Sequence, residues 1–125
     1  HHIQFGGDDV VKAKNNAGSA TLSMAFAGAR FAEAVLAAAQ GQSLERPQYS
    51  YIDLAADAKG AEQIKSVIGN DTAFFSVPIT LGRDGVTAIQ PLGQLSEFEQ
   101  KIIKEGIEAL NGNIAKGVSF KPTKL

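Results

Sequence analysis

Hydrophobic and polar positions follow two different periods along the chain, and each change of period marks an element. The longest apolar stretch covers residues 19–40. At 100° per residue, Leu22, Phe26 and Leu36 share one arc while Met24, Phe31 and Val35 lie nearly opposite. Ala27, Ala34 and Ala38 fill one flank and Gly28, Ala32 and Ala39 the other, so neighbouring backbones can come close. The pattern predicts a long helix capped by Ser19 and stopped by Gly41. Because it is apolar nearly all round, it is expected to be buried on several sides. A chain of this size buries only about two-thirds of its unfolded surface, so part of this long buried helix is expected to face another domain or subunit.

Upstream, Gly6-Gly7-Asp8-Asp9 precedes Val10-Val11-Lys12-Ala13-Lys14, with acids first and lysines last, which predicts a short helix ended by Asn15-Asn16-Ala17-Gly18. Downstream the period drops to two. Pro47 opens a strand through Gln48-Tyr49-Ser50-Tyr51-Ile52-Asp53-Leu54. Residues 55–72 are polar and Ala-containing; only Ile64, Val67 and Ile68 suggest a helical turn, and Gly69-Asn70-Asp71 a reversal. Phe75, Val77, Ile79 and Leu81 then alternate with Phe74, Ser76, Pro78 and Thr80, a half-buried strand in which Pro78 implies an edge or a bulge. With Gly82-Arg83-Asp84-Gly85 as its turn and residues 86–89 as its return, a hairpin is expected over 73–89. Ser96-Glu97-Phe98-Glu99 has capping-box spacing before a stripe of Ile103, Ile107, Leu110 and Ile114, with Gly117 as the expected C-cap. Segregated helices and antiparallel strands define an α+β fold.

Composition narrows the chemistry. The 125 residues (13.1 kDa) suit one domain, taken as residues 3–125. Alanine supplies much of the 44% hydrophobic content, so close helix approach matters as much as bulk. Twelve basic against thirteen acidic residues argue against a nucleic-acid or anionic-membrane footprint. A membrane span over 19–40 is weighed against by Arg30 and Glu33. Without cysteine there is no thiolate metal site, disulfide or thiol nucleophile. The two histidines, His1-His2, are taken as a purification-tag remnant and not as a metal site, which leaves residues 3–125 without the usual general base. There is no dinucleotide fingerprint, phosphate loop or nucleophile elbow, and arginine occurs only at 30, 46 and 83. Ser19, Thr21 and Ser23 gather hydroxyls at a helix start, a place suited to a polar or anionic ligand, although capping and packing account for them better on spacing alone.

At these residues the chain resembles a known family. Ile3 through Lys14 and Ala17-Gly18-Ser19-Ala20-Thr21-Leu22-Ser23-Met24-Ala25 are similar to the C-terminal domain of mitochondrial-type malate dehydrogenases, in the lactate/malate dehydrogenase family. Phe74-Phe75-Ser76-Val77-Pro78, Leu81-Gly82, Gly85-Val86, Pro91-Leu92-Gly93, Ser96-Glu97-Phe98-Glu99 and Asn113-Ile114-Ala115-Lys116-Gly117 follow in family order, while residues 55–72 are longer than usual. The resemblance implies a tricarboxylic-acid-cycle oxidoreductase passing hydride between NAD and carbon 2 of malate or oxaloacetate. The Rossmann domain, a catalytic His–Asp pair and substrate-clamping arginines would lie upstream, leaving no catalytic or metal residue here and the isolated chain inactive. By position, Met24 matches a cofactor contact near the nicotinamide, and Ala20 and Ser23 match the substrate-pocket wall. A homodimer is implied, with neither nucleic acid nor membrane as partner. The mitochondrial matrix is the expected compartment; Thr123-Lys124-Leu125, close to a peroxisomal address, makes the peroxisome the alternative. Two other readings are a non-catalytic interaction module and a lactate-type relative.

Overall fold

A computed structural model describes residues 2–121. In chain order it contains α1 (His2–Ala13), α2 (Thr21–Ala39), β1 (Gln48–Asp53), a short 3₁₀ turn (Leu54–Asp57), α3 (Ala58–Ile68), β2 (Phe74–Gly82), β3 (Gly85–Ile89) and α4 (Glu97–Ser119). The strands form one antiparallel sheet in the order β1-β2-β3, which bears out the α+β expectation.

The core lies on the sheet face that carries Phe75, Val77 and Ile79. Leu54, Ala61, Ile64 and Ile68 close over Val77, Ile79 and Ile89, and Ile103 and Ile107 of α4 pack against them. Residues 54–72, nearly featureless in the sequence, therefore supply about half of the buried core. The helical turn expected at 61–68 is the second part of an eleven-residue helix. Its start is hidden because Ala58, Lys59 and Gly60 show no apolar period, and what begins the helix is Asp57, whose carboxylate accepts the Gly60 N–H at 3.1 Å.

The hairpin forms as expected, with Arg83-Asp84 as its two-residue loop and Gly82 opposite Gly85. Gly85 takes φ 109°, which a side chain would resist. Pro78, however, sits on the central strand and not at an edge, and the register shift falls at Thr80/Leu81. The Pro78 carbonyl accepts the N–H of Gln90, just beyond the end of β3. A residue's N–H and C=O point to the same side of a strand, so the missing proline donor faces the point where the ladder ends.

Three boundaries need correction. Ser19 does not cap α2: the N-cap is Ala20, without a side-chain hydrogen bond. α4 keeps its capping box at Ser96 and Glu99 but continues through Gly117 to end at Phe120. α1 starts earlier than Asp8, although Phe5 (φ −117°, ψ 16°) divides it, so Asp8 and Asp9 still open its second piece.

The largest correction concerns α2, which is not a buried helix within this chain. Phe31, Ala34 and Ala37 are half-buried and Ala38 is buried where the helix meets β2 and β3, but every residue from 21 to 30 is exposed. Leu22 is 87% exposed and Leu36 63%. By length and composition α2 could also cross a membrane, yet Arg30 and Glu33 interrupt it and its C-terminal half is docked on the sheet of its own chain. Beyond its end, Gly41 (φ 81°) lies under the Arg83 guanidinium, whose Nη2 stands 2.9 Å from where a Cβ would be. The turn arginine thus packs on the helix terminus. His1 and Thr123-Lys124-Leu125 lie outside the described residues.

Candidate functional site

The sequence-derived site residues lie together in the first turn of α2. Ala20 is the half-buried N-cap, and Ser23 and Met24 follow it by three and four positions, so all three share one side of the helix. Extending that side at 100° per residue leads through Ala27 to Phe31, Ala34 and Ala38. The same stripe that docks α2 on the sheet therefore carries the candidate residues, but its first turns overhang the sheet. Met24 is consequently 74% exposed.

The approach to this turn is closely specified. After α1 the chain takes positive φ at Asn15 (52°), Asn16 (60°) and Gly18 (87°), conformations that Asn and Gly tolerate better than other residues. Lys14 Nζ donates to the Ser19 carbonyl at 3.0 Å, and the Ser19 and Thr21 hydroxyls hydrogen-bond each other. That pairing draws the Ser19 hydroxyl away from the amides it was expected to cap. The hydrogen bond from the Met24 N–H to the Ala20 carbonyl is long at 3.4 Å. Gly7 of α1 adjoins the turn: a Cβ there would be 4.0 Å from the Ala20 methyl.

Chemically this turn is a set of small, uncharged groups. It offers a small methyl, one hydroxyl, a flexible thioether and a helix N-terminus without a side-chain cap, a set that suits contact with a planar ring and a polar or anionic group. None of Ala20, Ser23 and Met24 can transfer a proton at neutral pH. Among the described residues, no group of three or more His, Cys, Asp or Glu is arranged to hold a metal ion. The larger concavities lie elsewhere: a cavity of about 460 Å³ between Val67 of α3 and Lys104 of α4, and an apolar groove between Tyr51 and Val118.

Two acids have clear electrostatic roles away from this turn. The Asp57 carboxylate is held below the usual carboxylate range by the backbone N–H groups of Ile89 and Gly60. Glu99 is lowered by the hydroxyl and amide of Ser96 in the capping box. Both serve the fold. Sequence reading missed the first because Asp57 and Ile89 are far apart in the chain and nothing in their local pattern joins them.

A three-stranded antiparallel sheet with segregated helices defines an α+β domain. Residues 1–121 match the family described as lactate/malate dehydrogenase, alpha/beta C-terminal domain, and the chain belongs to that family. It is 46% identical, over 99% of its length, to the mitochondrial malate dehydrogenase of Saccharomyces cerevisiae, covering 34% of that protein. It is 42% identical to the Schizosaccharomyces pombe mitochondrial enzyme, over 96% of the chain and 32% of the relative. The peroxisomal malate dehydrogenase of Saccharomyces cerevisiae is also 42% identical, over 96% of the chain and 36% of the relative. The chain thus spans about a third of the length of the curated relatives it matches. These relatives are malate dehydrogenases, which favours neither the interaction module nor the lactate-type alternative.

Proposed function

We propose that this chain is the C-terminal, substrate-side domain of an NAD-dependent malate dehydrogenase that interconverts malate and oxaloacetate. The observation that carries the proposal is the overhang of α2: residues 21–30 are exposed, apolar in large part, and present Met24 and Ser23 to solvent on the family-matching turn. An exposed apolar stretch of this kind calls for a covering partner. The rest of the polypeptide and a second subunit are its occupants in the proposed homodimer.

The residues present fit a nicotinamide cofactor in part. Met24 has the reach and polarisability to pack on a planar ring, and Ala20 keeps the adjoining wall small. The Ser23 hydroxyl and the uncapped start of α2 face outward, where they can orient a dicarboxylate. NAD, when bound, supplies or accepts the hydride. With no histidine in residues 3–125 and no dinucleotide fingerprint, phosphate binding and acid–base transfer fall to residues outside this stretch. On this basis the chain supplies pocket wall and packing surface, and by itself is inactive.

The mitochondrial matrix is the proposed compartment, supported by the mitochondrial relatives, with the peroxisome as the alternative because a peroxisomal relative also matches. Steady-state kinetics of the full-length protein with NADH test the activity. Oxaloacetate is expected to be reduced in strong preference to pyruvate; preference for pyruvate would overturn the malate assignment.

A further inference from the structure

Lys14 ties the end of α1 to the turn that carries the candidate residues. Its ammonium reaches five residues ahead to the Ser19 carbonyl at 3.0 Å and so spans the connection between α1 and α2. Inside that connection Asn15, Asn16 and Gly18 all hold positive φ, conformations that these residue types tolerate and most others resist. Ser19 is followed directly by Ala20, the N-cap of α2, and Ala20 is flanked on its other side by Gly7 of α1.

The macrodipole of α1 favours a lysine at its C-terminal end, but the stability of α2 does not account for where the ammonium goes. The N-terminal end of a helix carries the positive end of its macrodipole, so an ammonium placed beside it is unfavourable, and an anion would be the stabilising choice. Lys14 is also exposed, where a single hydrogen bond contributes little to folding. What the bond does achieve is to hold the Ser19 carbonyl, and with it the exit angle of the chain into Ala20 and Ser23.

We infer that Lys14 is a positioning residue for the substrate-side wall at Ala20 and Ser23, an inference that rests on the proposed dehydrogenase function. It acts through the Ser19 carbonyl and not on any reacting atom. Releasing that carbonyl loosens the chain at Ala20, directly beside the held group, more than at Ser23 and Met24, which lie inside the helix.

The test uses the full-length protein with Lys14→Met and Lys14→Arg. For Lys14→Met, kcat/KM for oxaloacetate is expected to fall roughly tenfold, below the ~10²-fold loss that a 1 Å misplacement can cause. The KM for NADH and the melting temperature should stay at parental values, and Lys14→Arg should restore most of the loss. An active parent with unchanged oxaloacetate kinetics in Lys14→Met overturns the positioning role alone. An increase in the KM for NADH of the same size as that for oxaloacetate also overturns it, because it would mean general loosening of the site. A parent without oxaloacetate-dependent NADH oxidation instead overturns the proposed function on which the role rests.

Discussion

The carboxylate of Asp57 accepts the backbone N–H of Ile89 at 2.8 Å, joining residues 32 positions apart and fastening the start of α3 to the end of β3. The other oxygen takes the Gly60 N–H, so one side chain both caps a helix and closes the sheet beside the core. Asp57→Asn should lower the melting temperature. It should also alter the acid limb of stability, and the sign follows from linkage. The folded pKa lies below the unfolded value, so the stabilisation is full above the unfolded carboxylate range and is lost as pH falls through it toward the folded pKa. Thermal melts of parent and variant should therefore differ at neutral pH and converge in strong acid. A constant gap at every pH would contradict the role given to this carboxylate.

Gly60 is required by the same junction. A Cβ there would press on the Asp57 carboxylate and lie 2.7 Å from the Ile89 carbonyl oxygen and 2.9 Å from its Cβ. Two of these three obstacles belong to the β3 end, which can give way only by moving the strand. Gly60→Ala should cost about 1–3 kcal/mol by overpacking, despite alanine's better helix propensity. Urea unfolding would measure it; a gain in stability would mean the junction is looser than described.

Ile64 is fully buried at the centre of the core. Ile64→Ala should cost about 2–5 kcal/mol, whereas Ser96→Ala, which removes one half of the exposed capping box, should cost about 1 kcal/mol. The order of the two in denaturant unfolding tests whether residues 54–72 are integral to the fold or a surface addition.

Phe31 and Leu36 distinguish the docked and exposed sides of α2. Phe31 is half-buried against its own chain, while Leu36 is 63% exposed. Phe31→Asp should destabilise the isolated domain itself. Leu36→Asp should leave its melting temperature within about 1 °C, in line with a surface change, yet disturb assembly of the full-length protein. Sedimentation of the full-length variants reads the second effect, and an unchanged coefficient for Leu36→Asp would show that solvent covers that side.

Much of this fold is legible in the sequence wherever a period is strong. The alternation from Phe75 to Leu81 and the Gly82-to-Gly85 turn define the hairpin, and the Ser96/Glu99 spacing defines the start of α4. Other features depend on contacts that local pattern does not record. α3 is disguised by alanine, glycine and polar residues on its outer side. Pro78 looks like an edge residue until its partner strand is seen to end beside it. Ser19 has the right chemistry for a cap but bonds to Thr21 instead, shifting the helix start by one residue. The candidate turn is legible only through family resemblance, because a methyl, a hydroxyl and a thioether form no catalytic pattern. The structure adds that the three share one overhanging side of α2.

Met24 supplies a direct test of the proposed cofactor contact. In the full-length protein, Met24→Ala should raise the KM for NADH while leaving the domain's stability nearly intact, since the side chain is 74% exposed within this chain. Equal NADH affinity in variant and parent would remove Met24 from the cofactor site.

The most direct measurement compares oxaloacetate-dependent NADH oxidation by the 125-residue chain and by the full-length protein, each confirmed by intact mass. Turnover is expected from the full-length protein and none from the 13.1 kDa chain, whose proposed contribution is pocket wall and packing surface. Turnover by the 13.1 kDa species would contradict the division of labour proposed for this domain.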